Sequence, residues 1–215
     1  MALKFTSDEV IETVPDGTPA LPPAMTLLAS DAFTGAAGDI SGRGFDQGLG
    51  GGFPRMWEGR GYIVSDGGAQ PSPDAVGSRV ASFTLGVDSW AVEYTHGGFQ
   101  AGSRMSIRVG IRSLTVADNR IRVQVEAGSI GLYEAPTAGG AEITHVSVPH
   151  LLSVGDAVAV GVRSGTSTEV AVWVNWLEVI PWTPMSRDHT TARCMFAPGL
   201  TVPGPIIDDV KLYEI

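Results

Sequence analysis

From about residue 80 onward, apolar and polar positions alternate with a period of two, the pattern of half-buried strands. Met105, Ile107, Val109 and Ile111 alternate with Ser106, Arg108, Gly110 and Arg112. After the turn residues Ala117-Asp-Asn119, Ile121, Val123 and Val125 alternate with Arg122, Gln124 and Glu126. Together these predict an antiparallel hairpin with one dry face and one wet face. Val80–Leu85, Trp90–Tyr94, Ile130–Tyr133, Glu142–Val148, Ala157–Arg163, Glu169–Ile180 and Ile207–Tyr213 read as further strands. Turn residues recur about every eight to twelve positions, which predicts an all-β antiparallel sandwich. No segment reads as a helix of ordinary length, and no fixed-period repeat is found.

Residues 1–28 follow another pattern. Thr6-Ser-Asp-Glu9 has capping-box spacing and allows one helical turn. Pro15, Pro19, Pro22 and Pro23 then impose an extended course. The segment is either a frayed terminus or an arm that docks on another chain, and Phe5, Val10, Ile11, Leu21 and Met25 make it more apolar than a linker needs. Residues 36–52 are rich in glycine but lack Gly-Lys-Ser/Thr, and Gly42-x-Gly44-x-x-x-Gly48 misses the dinucleotide spacing. They read as a turn-rich surface loop.

Charge and cysteine narrow the function classes. The 215 residues carry a formal net charge of −9, and all cations but Lys4 and Lys211 are arginine. Phosphate neutralisation, on which sequence-independent nucleic-acid binding depends, is disfavoured by that balance. Cys194 is the one cysteine, so neither an intrachain disulfide nor a thiolate zinc cage can form. No apolar run approaches the length of a spanning helix and no secretory signal is read, so a soluble chain is expected.

Two stretches carry a family resemblance. Asp31-Ala-Phe33-Thr-Gly35, then Asp39-Ile40-Ser-Gly-Arg43, Asp46, a glycine tract and Trp57 resemble the opening of concanavalin-like (laminin-G-like) jelly rolls. That opening recurs in minor tail proteins of bacteriophages that infect actinobacteria. Ile207-Asp-Asp-Val-Lys-Leu-Tyr213 is similar to the closing strand of the same domains. The resemblance spans about residues 29–215. It implies two antiparallel sheets face to face, with the first and last strands as neighbours, behind an extended N-terminal arm. The family holds lectins, glycosidases and structural pieces, so the fold leaves function open.

Chemistry must then be sought in side chains. Retaining glycosidases of this fold carry two carboxylates on one strand about 5 Å apart. Here Glu93 and Glu126 each stand alone, and Asp88 and Glu93 differ by an odd number and point to opposite faces. No Gly-x-Ser-x-Gly occurs, and His96, His145, His150 and His189 have no evident serine and carboxylate companions in sequence. Asp188, His189 and Cys194 are a weak metal set. Calcium would draw on loop carboxylates, for which Asp39, Asp46, Asp208 and Asp209 are the candidates, although Asp208-Asp209 equally suits a strand start.

Binding surfaces are the better candidates. Arg55, Trp57, Glu58, Arg60 and Tyr62 form a cluster after the glycine loop that could meet a ligand or partner, if Trp57 is not core. Trp173 and Trp176, three apart, would lie on opposite faces of one strand. Arg104, Arg108, Arg112, Arg120 and Arg122 fall close together, and Arg108, Arg112 and Arg122 should share the wet face of the hairpin. That patch is either a solvated face or a contact with an acidic surface of another subunit, such as the arm with Asp8, Glu9 and Glu12. The arm residues Phe5, Val10, Ile11 and Leu21 would join the same inter-subunit contact. The resulting expectation is a non-enzymatic virion protein of the tail or its tip. It would act as a homo-oligomer among other virion proteins, without cofactor or membrane insertion, and with host-surface glycan binding as a second role. A capsid decoration protein and a carbohydrate-active enzyme with a diverged site are the alternatives.

Overall fold

The structure, a computed structural model, describes residues 25–34, 36–48, 57–60, 62–65, 68–72, 80–85, 87–98, 104–109, 120–135, 141–189, 193–198 and 206–215. The expectations placed on Phe5, Val10, Ile11, Leu21, Arg55 and Arg112 lie outside these residues. The strands come in chain order. The first eight are β1 (Thr26–Asp31), β2 (Gly38–Asp39), β3 (Gln47–Gly48), β4 (Glu58–Arg60), β5 (Tyr62–Ser65), β6 (Gly68–Pro71), β7 (Val80–Thr84) and β8 (Trp90–His96). The next five are β9 (Arg104–Val109), β10 (Arg120–Glu126), β11 (Ser129–Ala135), β12 (Ile143–Pro149) and β13 (Ala157–Arg163). The chain closes with β14 (Glu169–Val174), β15 (Leu177–Pro184), β16 (Arg193–Pro198) and β17 (Ile207–Glu214).

They form two antiparallel sheets. One has ten strands, ordered β15-β14-β13-β8-β17-β6-β5-β2, with β1 paired to β17 and β3. The other has seven, ordered β12-β11-β10-β9-β16-β7-β4. First and last strands are neighbours, from Thr26↔Glu214 to Asp31↔Val210. Because β1 starts at Thr26, the sandwich takes up the last residues of the span read as an arm.

The alternation read from the sequence sets the faces. Met105, Ile107, Val109, Ile121, Val123 and Val125 are buried in the core, as are Val158, Val160, Val162, Val170, Val172 and Val174 from the facing sheet. Burying such aliphatic side chains is worth about 1.5–3 kcal/mol each.

The residues that carry the family resemblance build one clasp. Asp31, fully buried at the end of β1, accepts hydrogen bonds from Trp57 Nε1 (2.6 Å), Phe33 N (2.8 Å) and Arg43 Nη2 (3.3 Å). Burial pushes the Asp31 carboxyl up, and those bonds pull against it. Arg43 reaches on to Asp46 (2.9 Å), which also accepts from Thr34 Oγ1 (3.0 Å). Phe33, with φ of 53°, takes the left-handed conformation that the Asp31 turn imposes.

Candidate functional site

The outer face of the seven-stranded sheet holds the site. Cross-strand pairing places Thr144, Tyr133, Arg122, Arg108, Met195, Ser82 and Glu58 in one row across all seven strands. The adjoining row runs Gly131, Gln124, Ser106, Ala197. These side chains point away from the core because they alternate with Met105, Ile107, Val123 and Phe196. Outward side chains of a sheet are normally wet, yet Ser82 is 0 % exposed, Met195 and Ser106 each 2 %, and Ala197 3 %. The small and apolar groups in the middle of this face are therefore closed off from solvent, and the groups it presents are the longer polar side chains and the Tyr133 ring.

Arg122 lies over the Tyr133 ring, 4.6 Å from its centre, and is paired with Glu142. Tyr133 in turn lies against Gly131, where a Cβ would stand 2.6 Å from the ring, so the tyrosine fits flat only beside glycine. Arg108 sits directly opposite Arg122, and Arg104 opposite Glu126. Among the described residues no carboxylate pairs with Arg104, Arg108 or Arg120. The buried Nε atoms of Arg108, Arg120 and Arg122, and Gln124 Oε1, have no hydrogen-bond partner among the described residues. Burial first, then the neighbouring Arg120 and Arg122, bring Arg108 down to about 10. The carboxylates of this face are engaged: Glu58 with Arg193 (2.7 Å), Glu126 with Gln124 and Glu142 with Arg122.

No protein-family model matches the chain, and no curated protein matches it. Solved structures do match. SCLam, a non-specific endo-beta-1,3(4)-glucanase from family GH16, is 10 % identical at a TM-score of 0.58, covering 91 % of this chain and 93 % of that one. The Bacillus licheniformis beta-glucanase is 11 % identical at 0.53, covering 86 % and 97 %. The metal-free Emp46p carbohydrate recognition domain is 10 % identical at 0.51, covering 74 % and 87 %. The fold is a concanavalin-like jelly roll.

Within this jelly roll the other predicted residues fall as follows. Trp57 and Tyr62 are core and cannot form a ligand surface, which corrects that expectation. Trp57 stacks on Phe45 (5.0 Å between ring centres), meets Phe83 edge-on (5.2 Å) and spends its N–H on Asp31. Glu58 stays at the surface, and Arg60 lies beside it on β4. Asp209 is the extra residue at the register shift between Asp208 and Val210 in β17, where it has φ of 42° and pairs with Lys211 (2.9 Å). Asp39 accepts from Ser41 N, and Asp46 belongs to the Asp31 clasp. Among the described residues no three His, Cys, Asp or Glu side chains converge to hold a metal ion. Cys194 is buried on β16 with its thiol pushed up by burial, while His189 is bonded elsewhere.

Two clusters escape a period-two reading. The span read as a single strand over Glu169–Ile180 is a hairpin, turned at Asn175 (φ 50°) and Trp176 (φ 58°). The turn brings Trp176 to 6.0 Å from Trp173 instead of to the opposite face, and Trp182 and Tyr213 join them on the outer face of the ten-stranded sheet. Gly161 makes room, since a Cβ there would meet the Trp173 ring at 2.7 Å. The second cluster centres on Glu134, fully buried on β11. It accepts from His189 Nε2 (2.6 Å), His145 Nε2 (2.9 Å), Ser186 Oγ (2.7 Å) and Ser186 N (2.9 Å). Its signal in the sequence is its place after Ile130 and Leu132, a carboxylate at an inward position of an alternating strand.

Proposed function

We propose that this jelly roll is a non-catalytic glycan-binding module displayed on a bacteriophage virion, in the tail or its tip, with the outer face of the seven-stranded sheet as its binding surface. The observation that carries this reading is the row from Thr144 to Glu58, in which the exposed Thr144, the half-buried Tyr133 ring, Arg122, Arg108 and Glu58 line one face of the sheet, while Met195 and Ser82 between them are closed off from solvent. Such a strip suits a saccharide chain, whose C–H surfaces pack on rings while its hydroxyls meet polar side chains. A binding role without catalysis is supported by the carboxylates of the face, which sit on separate elements and are taken up by Arg193, Gln124 and Arg122. The virion assignment rests on the resemblance of the Asp31–Trp57 and Ile207–Tyr213 segments, and assembly with copies of itself and other virion proteins belongs to the same reading.

The test is a glycan array probed with the full chain, with calcium and with chelator, alongside Tyr133→Ala. Expected is binding that survives chelation and falls at least tenfold in the variant while its cooperative unfolding transition is retained. Binding that ignores the variant would move the site off this face, and release of reducing sugar from the bound glycan would make the protein an enzyme. Antibody labelling of purified particles addresses location; label on the tail is expected, whereas label on the capsid would favour a decoration protein.

A further inference from the structure

The charges on the same face specify the ligand further, an inference that rests on the glycan-binding reading above. Like charges directly opposite on neighbouring strands destabilise a sheet. Arg108 and Arg122 are such a pair, with Arg120 two residues along the same face and Arg104 at its end. Among the described residues the relief available is small, because Glu142 is spent on Arg122 and Glu126 faces Arg104 while accepting from Gln124. Guanidinium groups gather here in a chain whose net charge is −9, so the patch runs against the charge of the whole. The Arg122 plane is held from two sides, by the Tyr133 ring and by Glu142, and is thereby preorganised.

We propose that this face takes an anionic polysaccharide, one whose carboxylate or phosphate group seats between Arg108 and Arg122. Guanidinium forks match both groups in bidentate geometry and remain charged throughout the physiological range. The sugar body would then lie beside the half-buried Tyr133 ring, toward its exposed cross-strand neighbour Thr144. A bound anion relieves the repulsion between the two arginines, so the apo protein carries a destabilising pair that its ligand neutralises.

The full chain would be titrated by calorimetry with polygalacturonate, with a poly(glycerol phosphate), with a neutral dextran of similar length, and with poly-glutamate. Acidic polysaccharide is expected to bind at least tenfold more tightly than dextran, with an affinity that falls as salt rises. The carboxylate and phosphate polymers tell the two anion sources apart. Arg108→Gln is expected to lose at least tenfold of that affinity while melting at or above the wild-type temperature, since it removes one of two opposed charges. Equal binding of dextran and acidic polymers, or full binding by Arg108→Gln, would overturn the anionic ligand and leave a neutral-glycan module. Binding of poly-glutamate alone would overturn it in favour of an acidic protein partner. Binding of none of the four polymers would refute the glycan reading itself.

Discussion

Trp57 shows how one polar atom decides the place of a large side chain. Its ring fills the core against Phe45 and Phe83, and its N–H satisfies the buried carboxylate of Asp31. Trp57→Phe keeps most of the apolar area but leaves Asp31 one donor short in a dry place. A loss of about 1–3 kcal/mol is expected, read as a lower denaturant midpoint at constant slope. Pairing it with Asp31→Asn should recover part of that loss, because a neutral amide tolerates the missing donor better than a carboxylate does. The partner lies 26 residues away in the chain, so the local cluster of Arg55, Glu58 and Arg60 leaves both a surface and a core place open for Trp57. The residues that resemble the family opening were readable; that they serve each other was not.

At the level of strands, the period-two pattern carried the hairpin far. The alternating segments expected to pair are β9 and β10, in a register that sets Ile107 opposite Val123 and Arg108 opposite Arg122. Periodicity failed at Asn175-Trp176, where the chain turns without glycine or proline. The two-residue turn formed here has φ > 0 at both positions, which Asn tolerates and Trp resists. Asn175 anchors the turn: its Oδ1 accepts from Ala157 N (2.9 Å) and its Nδ2 donates to Asp156 Oδ1 (2.9 Å). Asn175→Ala is therefore expected to cost about 1–2 kcal/mol and to loosen the β14–β15 hairpin, seen as faster amide exchange from Val172 to Ile180. The edge of the ten-stranded sheet is protected by β15 itself, which carries Pro181 and Pro184 at the border.

For the molecule as a whole, Glu134 ties the two sheets together. It sits on β11 of one sheet and accepts from Ser186 and His189, which follow β15 of the other. Burial alone would raise this carboxyl; the bonds from His189, Ser186 and His145 outweigh it and hold it at about 2. Because that lies below the ordinary value of 4.5, the unfolded chain binds the proton more tightly. The stabilisation is whole above pH 4.5 and drains away as the pH falls toward 2. Glu134→Gln should cost on the order of 3 kcal/mol at neutral pH. Its melting temperature should also fall less steeply than the wild type's between pH 4.5 and 2.5, and parallel curves would show that another group drives the acid transition.

The pairing of β1 with β17 has one more implication. Thr26 and Glu214 face each other across the ladder, so the two ends of the domain stand about 5 Å apart at one rim of the sandwich. Topologically the jelly roll is a closed loop with a narrow stem. It could be spliced into a surface turn of an unrelated protein without prising that host open. Its own ends could be joined by a few residues and new ones cut at the Val154-Gly155 turn, giving a circular permutant with the same sheets.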